Sequence, residues 1–421
     1  MRSRLTLLGM VLLIVISLSN CKKNKQDDPR QDAGEGSLNL PALDPALVNH
    51  GKDIFRYETF GDETTWTDVL KMNEVIEAAV DPTTALSVGL KVDASALPAA
   101  VVAGIQNGSI SLTDPQTTLA LLQLNAVVGV KGQVSTTTAG TLKLDRVGIT
   151  CALCHSTVDN SFASGIGNRL DGYPNRDLDP GLIISLSPSL TAAQKAVYAS
   201  WGKGKFDPRF NHDGLNNPVV IPPAFGLYGL PKVIFTGDGD VQHETVGPVA
   251  YWNRYVAVAE MGGHGKFNDS RTGLNIDNTG GGADLVTDKL PALQAYQFSL
   301  AAPNAPVGSF DVTAAARGKI LFNNKAQCAT CHSGPRFTDV TNGGILHPQS
   351  ASVATDKDYV NRSATKQWRV TPLKGIWQHA PYFHDGSAAT LSAVVEKYNT
   401  SKNLGLTSQE KTDLTEYLKS L

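Results

Sequence analysis

Apolar and polar positions alternate along this chain in a few patterns that each predict a kind of element. At the C-terminus Leu414, Tyr417, Leu418 and Leu421 fall at i, i+3, i+4 and i+7, one face of a helix. Thr407 and Glu410 mark its start as a capping box. The stretch LTEYLKSL (414–421) has a counterpart in LQAYQFSL (293–300), matching at Leu, Tyr, Ser and Leu. A second pair is HGKDIF (50–55) and RGKILF (317–322), which share Gly, Lys and Phe. The latter reads as a short helix with Asp311 or Thr313 as N-cap. Helices are also expected over 66–80 and 117–127, and a hairpin with Gly140 over 134–147. From 202 to 282 Gly, Pro, Asn and Asp accumulate, and long irregular loops are expected. The order helix, loops, closing helix occurs twice, which is an internal repeat.

The first residues follow a different rule. Arg2 and Arg4 precede an apolar run over 5–18, shorter than the ~20 residues of a membrane span. Together they predict an export signal. Residues 22–36 are polar except for Ala33 and read as a flexible tether. With 421 residues, 41% hydrophobic and 18% charged, the rest of the chain predicts two or three ordered domains. A formal charge of −2 gives no basis for binding nucleic acid.

Five cysteines are too few for a disulfide scaffold. Four of them form two copies of one pattern, Cys151-Ala152-Leu153-Cys154-His155 and Cys328-Ala329-Thr330-Cys331-His332. C-x-x-C-H is the attachment pattern for c-type haem. Two thiols on one turn reach the two vinyl groups of a porphyrin, and the histidine after them swings under the ring to ligate iron. A zinc site would need further ligand pairs, a thioredoxin-like site a βαβ context, and two local disulfides would leave the histidines unexplained. Two covalent haem c groups are therefore expected, on Cys151, Cys154 and His155 and on Cys328, Cys331 and His332. The fifth cysteine ends Leu18-Ser19-Asn20-Cys21, which resembles the lipobox of bacterial lipoproteins. That resemblance implies a lipid anchor on Cys21 in the periplasm or cell envelope. Plain secretion is the alternative, because Asn20 replaces the usual small residue.

The segments TPLKGI (371–376), APYFHDGSAATL (380–391) and VVEKYN (394–399) carry a closer likeness. They resemble the bacterial di-haem cytochrome c peroxidase/MauG family, of which rubber oxygenases are similar distant relatives. The resemblance covers about residues 310–421 and reaches the first half mainly through its haem motif. It implies a mainly α fold of two class I cytochrome c-like haem domains in tandem, with long loop insertions in the first. The organisation expected is a signal over 1–21, a tether over 22–40, a haem domain over 41–303 and a second over 304–421. The insertions over 56–150 and 202–282 would cover the first haem and shape its open face.

The family implies that the haem on His155 meets the oxidant and the haem on His332 relays electrons. The distal ligand of the second haem falls at Tyr398, with His347 as the next candidate, and His384 is expected to bond a propionate or a ligand-holding group. For the first haem, Met261 and His264 are candidate distal ligands and Glu260 the candidate acid–base residue, with His212 and His243 also considered. Trp252 or Trp377 would replace the bridging tryptophan that relatives carry between the haems. The expected partners are hydrogen peroxide and an electron-donor protein such as a small cytochrome c or cupredoxin. MauG-like oxidation of a protein or organic substrate, and a non-catalytic electron carrier, are the alternatives.

Overall fold

The computed structural model describes residues 41–354 and 356–421, so the signal, the tether and Cys21 lie outside the described residues. Helix α1 (Pro45–Tyr57) starts on Asp44, whose carboxylate accepts from Ala46 N at 2.9 Å, with proline in the first turn where its missing N–H costs nothing. Strands β1 (Val130–Thr136) and β2 (Leu142–Ile149) form an antiparallel hairpin. After them come α2 (Pro248–Tyr255) and α3 (Leu290–Ser299). The last part holds α4 (Val312–Asn323), α5 (Leu391–Ser401) and α6 (Ser408–Ser420). Asp311 is the N-cap of α4, accepting from Ala314 N at 2.8 Å, and the Thr407–Glu410 capping box of α6 is formed.

Two helix crossings organise the chain. Helix α1 crosses α3, and α4 crosses α6. At each crossing a glycine lies against the backbone of the other helix. A Cβ on Gly51 would sit 1.8 Å from Ala292 O, and one on Gly318 would sit 2.0 Å from Asp413 O. The repeat extends to the aromatic pairs beside them. Phe55 meets Tyr296 edge-on at 5.4 Å, and Phe322 meets Tyr417 edge-on at 5.3 Å. These are the Phe and Tyr positions that match between the repeated segments. Each crossing heads its own core. One joins Phe55, Tyr251, Tyr255, Met261, Leu293 and Tyr296; the other joins Phe322, Leu391, Val395, Leu414 and Leu418.

The insertion over 56–150 is folded rather than looped. It has a separate apolar core of Trp66, Met72, Leu119, Leu122, Leu144 and Val147. The helix expected over 66–80 divides into a π-helical turn, Thr64–Val69, and a helix, Met72–Ala79, because Lys71 between them adopts left-handed φ 57°. The wide turn aims Thr67 at the hairpin, where its hydroxyl donates to Val147 O at 3.0 Å and accepts from Val147 N at 2.8 Å. The helix expected over 117–127 runs Pro115–Gln123 and ends before Asn125, at φ 54°. The region 202–282 is irregular as expected, apart from the short helix Phe210–Asp213, α2, short strands and a second π-helical turn, Val256–Glu260. The whole is helical with short two-stranded sheets, and no helix among the described residues is long and apolar enough to cross a membrane.

Candidate haem-binding and redox site

Both C-x-x-C-H motifs close on themselves in the same way. The N–H of His155 donates to Cys151 O at 3.2 Å, and that of His332 to Cys328 O at 2.9 Å. Each imidazole also donates from Nδ1 to a backbone carbonyl at 3.0 Å, His155 to Pro222 and His332 to Phe337. A carbonyl can only accept, so the proton sits on Nδ1 and the lone pair of Nε2 is left for a metal. Burial pushes the His155 imidazole down to about 4 and holds that of His332 below its ordinary value, so both stay neutral, as a ligand must. Burial also pushes the Cys151 and Cys154 thiols up to about 12 and Cys328 up to about 11. No disulfide joins the four motif cysteines.

Cys328, Cys331 and His332 open onto a cavity of about 610 Å³. Its wall is apolar where α4, α5 and α6 contribute Phe322, Val394, Leu414 and Leu418, and it includes Tyr398, His347, His384 and Trp368. Two buried cations complete it. Arg176 donates from Nη2 to His379 O at 3.0 Å but leaves Nε and Nη1 without partners. Arg369 donates from Nε to Ile234 O at 2.6 Å and leaves Nη1 without one. Desolvation lowers both guanidiniums to about 10. His384 donates from Nε2 to Asp356 at 3.0 Å, is flanked by Tyr359 and Trp368, and has its Nδ1 buried and without a hydrogen bond. Buried N–H groups left bare are costly. Here they face a space large enough for a porphyrin-sized ligand, whose propionates would satisfy them. The residues present fit a haem c at the second motif.

The candidate ligands differ in readiness. Tyr398 lies on the cavity wall, its phenol pushed up to about 12 by burial. His347 bonds Asp339 through Nε2 at 2.7 Å, which leaves only Nδ1 for a metal. Cys331, Asp339 and His347 bring ligand atoms within 4.8 Å of one another, beside the motif rather than apart from it.

The first π-helical turn, Thr64–Val69, meets the chain just past the second, Val256–Glu260, and such turns are frequent at functional sites. Thr65 Oγ1 donates to Gly262 O at 3.2 Å, and Thr64 Oγ1 meets His264 Nε2 at 3.1 Å. Glu260 ends the second turn with both carboxylate oxygens buried and without a hydrogen bond, and His212 Nε2 stands 3.7 Å from Oε1. Burial pushes its carboxyl up to about 7. Met261 is 3% exposed, within the core that also packs Cys151. His243 pairs with Asp240 at 2.7 Å in a group with Lys232 and Arg271. Trp252 stacks on Tyr255 at 4.9 Å, and Trp377 donates to Pro303 O at 3.3 Å. Trp368 lies on the cavity wall. Sequence reasoning missed Arg176, Arg369 and the Pro222 carbonyl, since nothing in a single sequence marks which arginine is buried. Pro222 is also a cavity residue, so one segment touches both motifs.

A family model described as RoxA-like, cytochrome c-like, matches residues 368–402, the span from Trp368 to just past Tyr398. Cytochrome-c peroxidase IdrP1 of Denitromonas iodatirespirans is 28% identical over 149 residues, covering 25% of this chain and 40% of that protein. Methylamine utilization protein MauG of Methylorubrum extorquens is 32% identical over 117 residues, covering 25% of this chain and 33% of that protein. Over these stretches the chain is similar to a cytochrome-c peroxidase and to MauG. The di-haem peroxidase/MauG relationship thus rests on less than half the length of those relatives. A solved MauG-like protein associated with microbial copper homeostasis overlaps at TM-score 0.24 and 21% identity, over 32% of this chain and 56% of that one. An overlap that low carries no argument.

Proposed function

We propose that this chain is an exported di-haem c-type cytochrome that reduces hydrogen peroxide with electrons from a donor protein such as a small cytochrome c or cupredoxin. In this reading residues 41–303 and 304–421 each hold one haem, residues 1–21 direct export, and Cys21 carries a lipid anchor after the 22–40 tether. The haems, when bound, accept and pass single electrons and bind the oxidant at iron. His155 and His332 would ligate the irons, Tyr398 would add a ligand at the second, and Met261 would serve as packing. The arginines of the cavity receive propionates.

Reduction of hydrogen peroxide to two waters takes two electrons from the donor and two protons. Glu260 takes the proton from one peroxide oxygen and returns it to the other, which leaves as water. The observation that carries the reading is the buried Glu260 carboxylate, one residue before Met261, which shares a core with Cys151 of the first motif: a carboxyl that burial raises to about 7 suits the proton transfers of peroxide reduction. The test is the half-reduced holoprotein mixed with hydrogen peroxide and an artificial donor. Peroxide-dependent turnover is expected, and its absence with every donor would replace the enzyme with a carrier. Tyr398 supports MauG-like oxidation as a second reading, since MauG has tyrosine where the peroxidases have methionine. Oxidation of a protein substrate without peroxide turnover would favour it.

A further inference from the structure

One side chain near Glu260 has no place in the account above. His212 lies on the short helix Phe210–Asp213, outside both haem motifs. Its Nε2 is buried without a hydrogen-bond partner and stands 3.7 Å from Glu260 Oε1, an ion-pair separation. The imidazole is braced by the ring of Tyr255 at 6.2 Å, and the Tyr255 hydroxyl donates to Pro208 O, four residues before His212. Three buried, unsatisfied polar atoms, two on Glu260 and one on His212, therefore converge from separate elements. A buried carboxylate left alone is destabilised in its charged form, and a neighbouring cation reverses that.

We propose that His212 is a positioning residue that pairs with Glu260 and keeps it a carboxylate, ready to accept a proton from peroxide. The inference deepens the peroxidase reading and rests on it for the role of Glu260. The contact with Glu260 raises the His212 imidazole above its ordinary value, against partial burial. Conversely, His212 lowers the Glu260 carboxyl that burial has raised. The other titratable and charged groups facing the pair are Asp207, Asp213, Tyr198 and Tyr255, with Arg209 behind Tyr255. Asp213 is itself paired with Arg362 at 2.6 Å, and Arg209 with Asp238 at 2.6 Å. That leaves His212 as the cation available to Glu260.

The test is infrared spectroscopy of the oxidised holoprotein across a pH series, following the C=O stretch of a protonated carboxyl without peroxide present. Glu260→Gln assigns the band by removing it. In His212→Gln, which keeps a donor but cannot carry charge, the band should persist to higher pH by about one unit or more. The rising limb of the peroxide pH–rate profile should move up by the same amount. His212→Lys, which restores a cation, should bring both back toward the wild type, which simple damage to the fold would not allow. A band titrating at the same pH in wild type and His212→Gln would overturn the pairing. If the band shifts but no variant turns over peroxide, the pairing stands and the peroxidase reading falls.

Discussion

Glu260 and Tyr398 show what single residues contribute here, because each keeps an ionisable oxygen where burial penalises it. Glu260→Gln keeps shape and removes the proton acceptor, so stopped-flow peroxide reduction should slow by about 10²-fold or more. An unchanged rate would take Glu260 out of the chemistry. Tyr398→Phe keeps the ring that packs beside Phe383 at 6.3 Å and loses only the oxygen. If that oxygen binds iron, the second haem should change from low-spin to high-spin by EPR, and an unaltered spectrum would shift attention to His347. The motif residues were legible from the sequence because covalent chemistry fixes their spacing. Glu260 and Tyr398 were reached only through resemblance, and Arg176 and Arg369 not at all, because burial depends on segments distant in the chain.

Among elements, the two glycine crossings carry the largest structural demand. Gly51→Ala and Gly318→Ala would each drive a methyl into a backbone carbonyl, at 1.8 and 2.0 Å, which no side-chain rotation relieves. Each should cost about 3 kcal/mol or more, at or beyond the top of the usual overpacking range, read as a lower denaturant midpoint. Gly140→Ala is the control: nothing lies within 4 Å, and only the positive φ of 85° opposes it, so about 1 kcal/mol is expected. Equal losses at Gly51 and Gly140 would contradict the crossing as described. The repeated Gly, Phe, Tyr and Leu positions made both crossings readable in advance. The insertion was not: its helix breaks at Lys71, whose left-handed backbone carries no glycine or proline signal.

For the molecule as a whole, pH dependence offers a check on how charge is stored inside it. Asp62 is fully buried and accepts from Ile149 N, and burial pushes its carboxyl up to about 9. Between its ordinary value of 3.8 and about 9 the folded chain keeps a proton that the unfolded chain has released. Stability from this group therefore falls as pH rises through that window. Asp62→Asn removes the loss, so its Tm should gain on the wild type steadily from pH 5 to pH 9; parallel Tm curves would show that Asp62 is already ionised. The crossings have one more consequence, for how such a chain can change over time. The α1–α3 contact closes a segment of about 240 residues and the α4–α6 contact one of about 95, yet the entropy of closing them differs by only about 0.8 kcal/mol. Once a unit is fastened at its two ends, the chain between them can lengthen almost without thermodynamic penalty. New segments could then be tried over the first haem motif while the fastening stayed as it was.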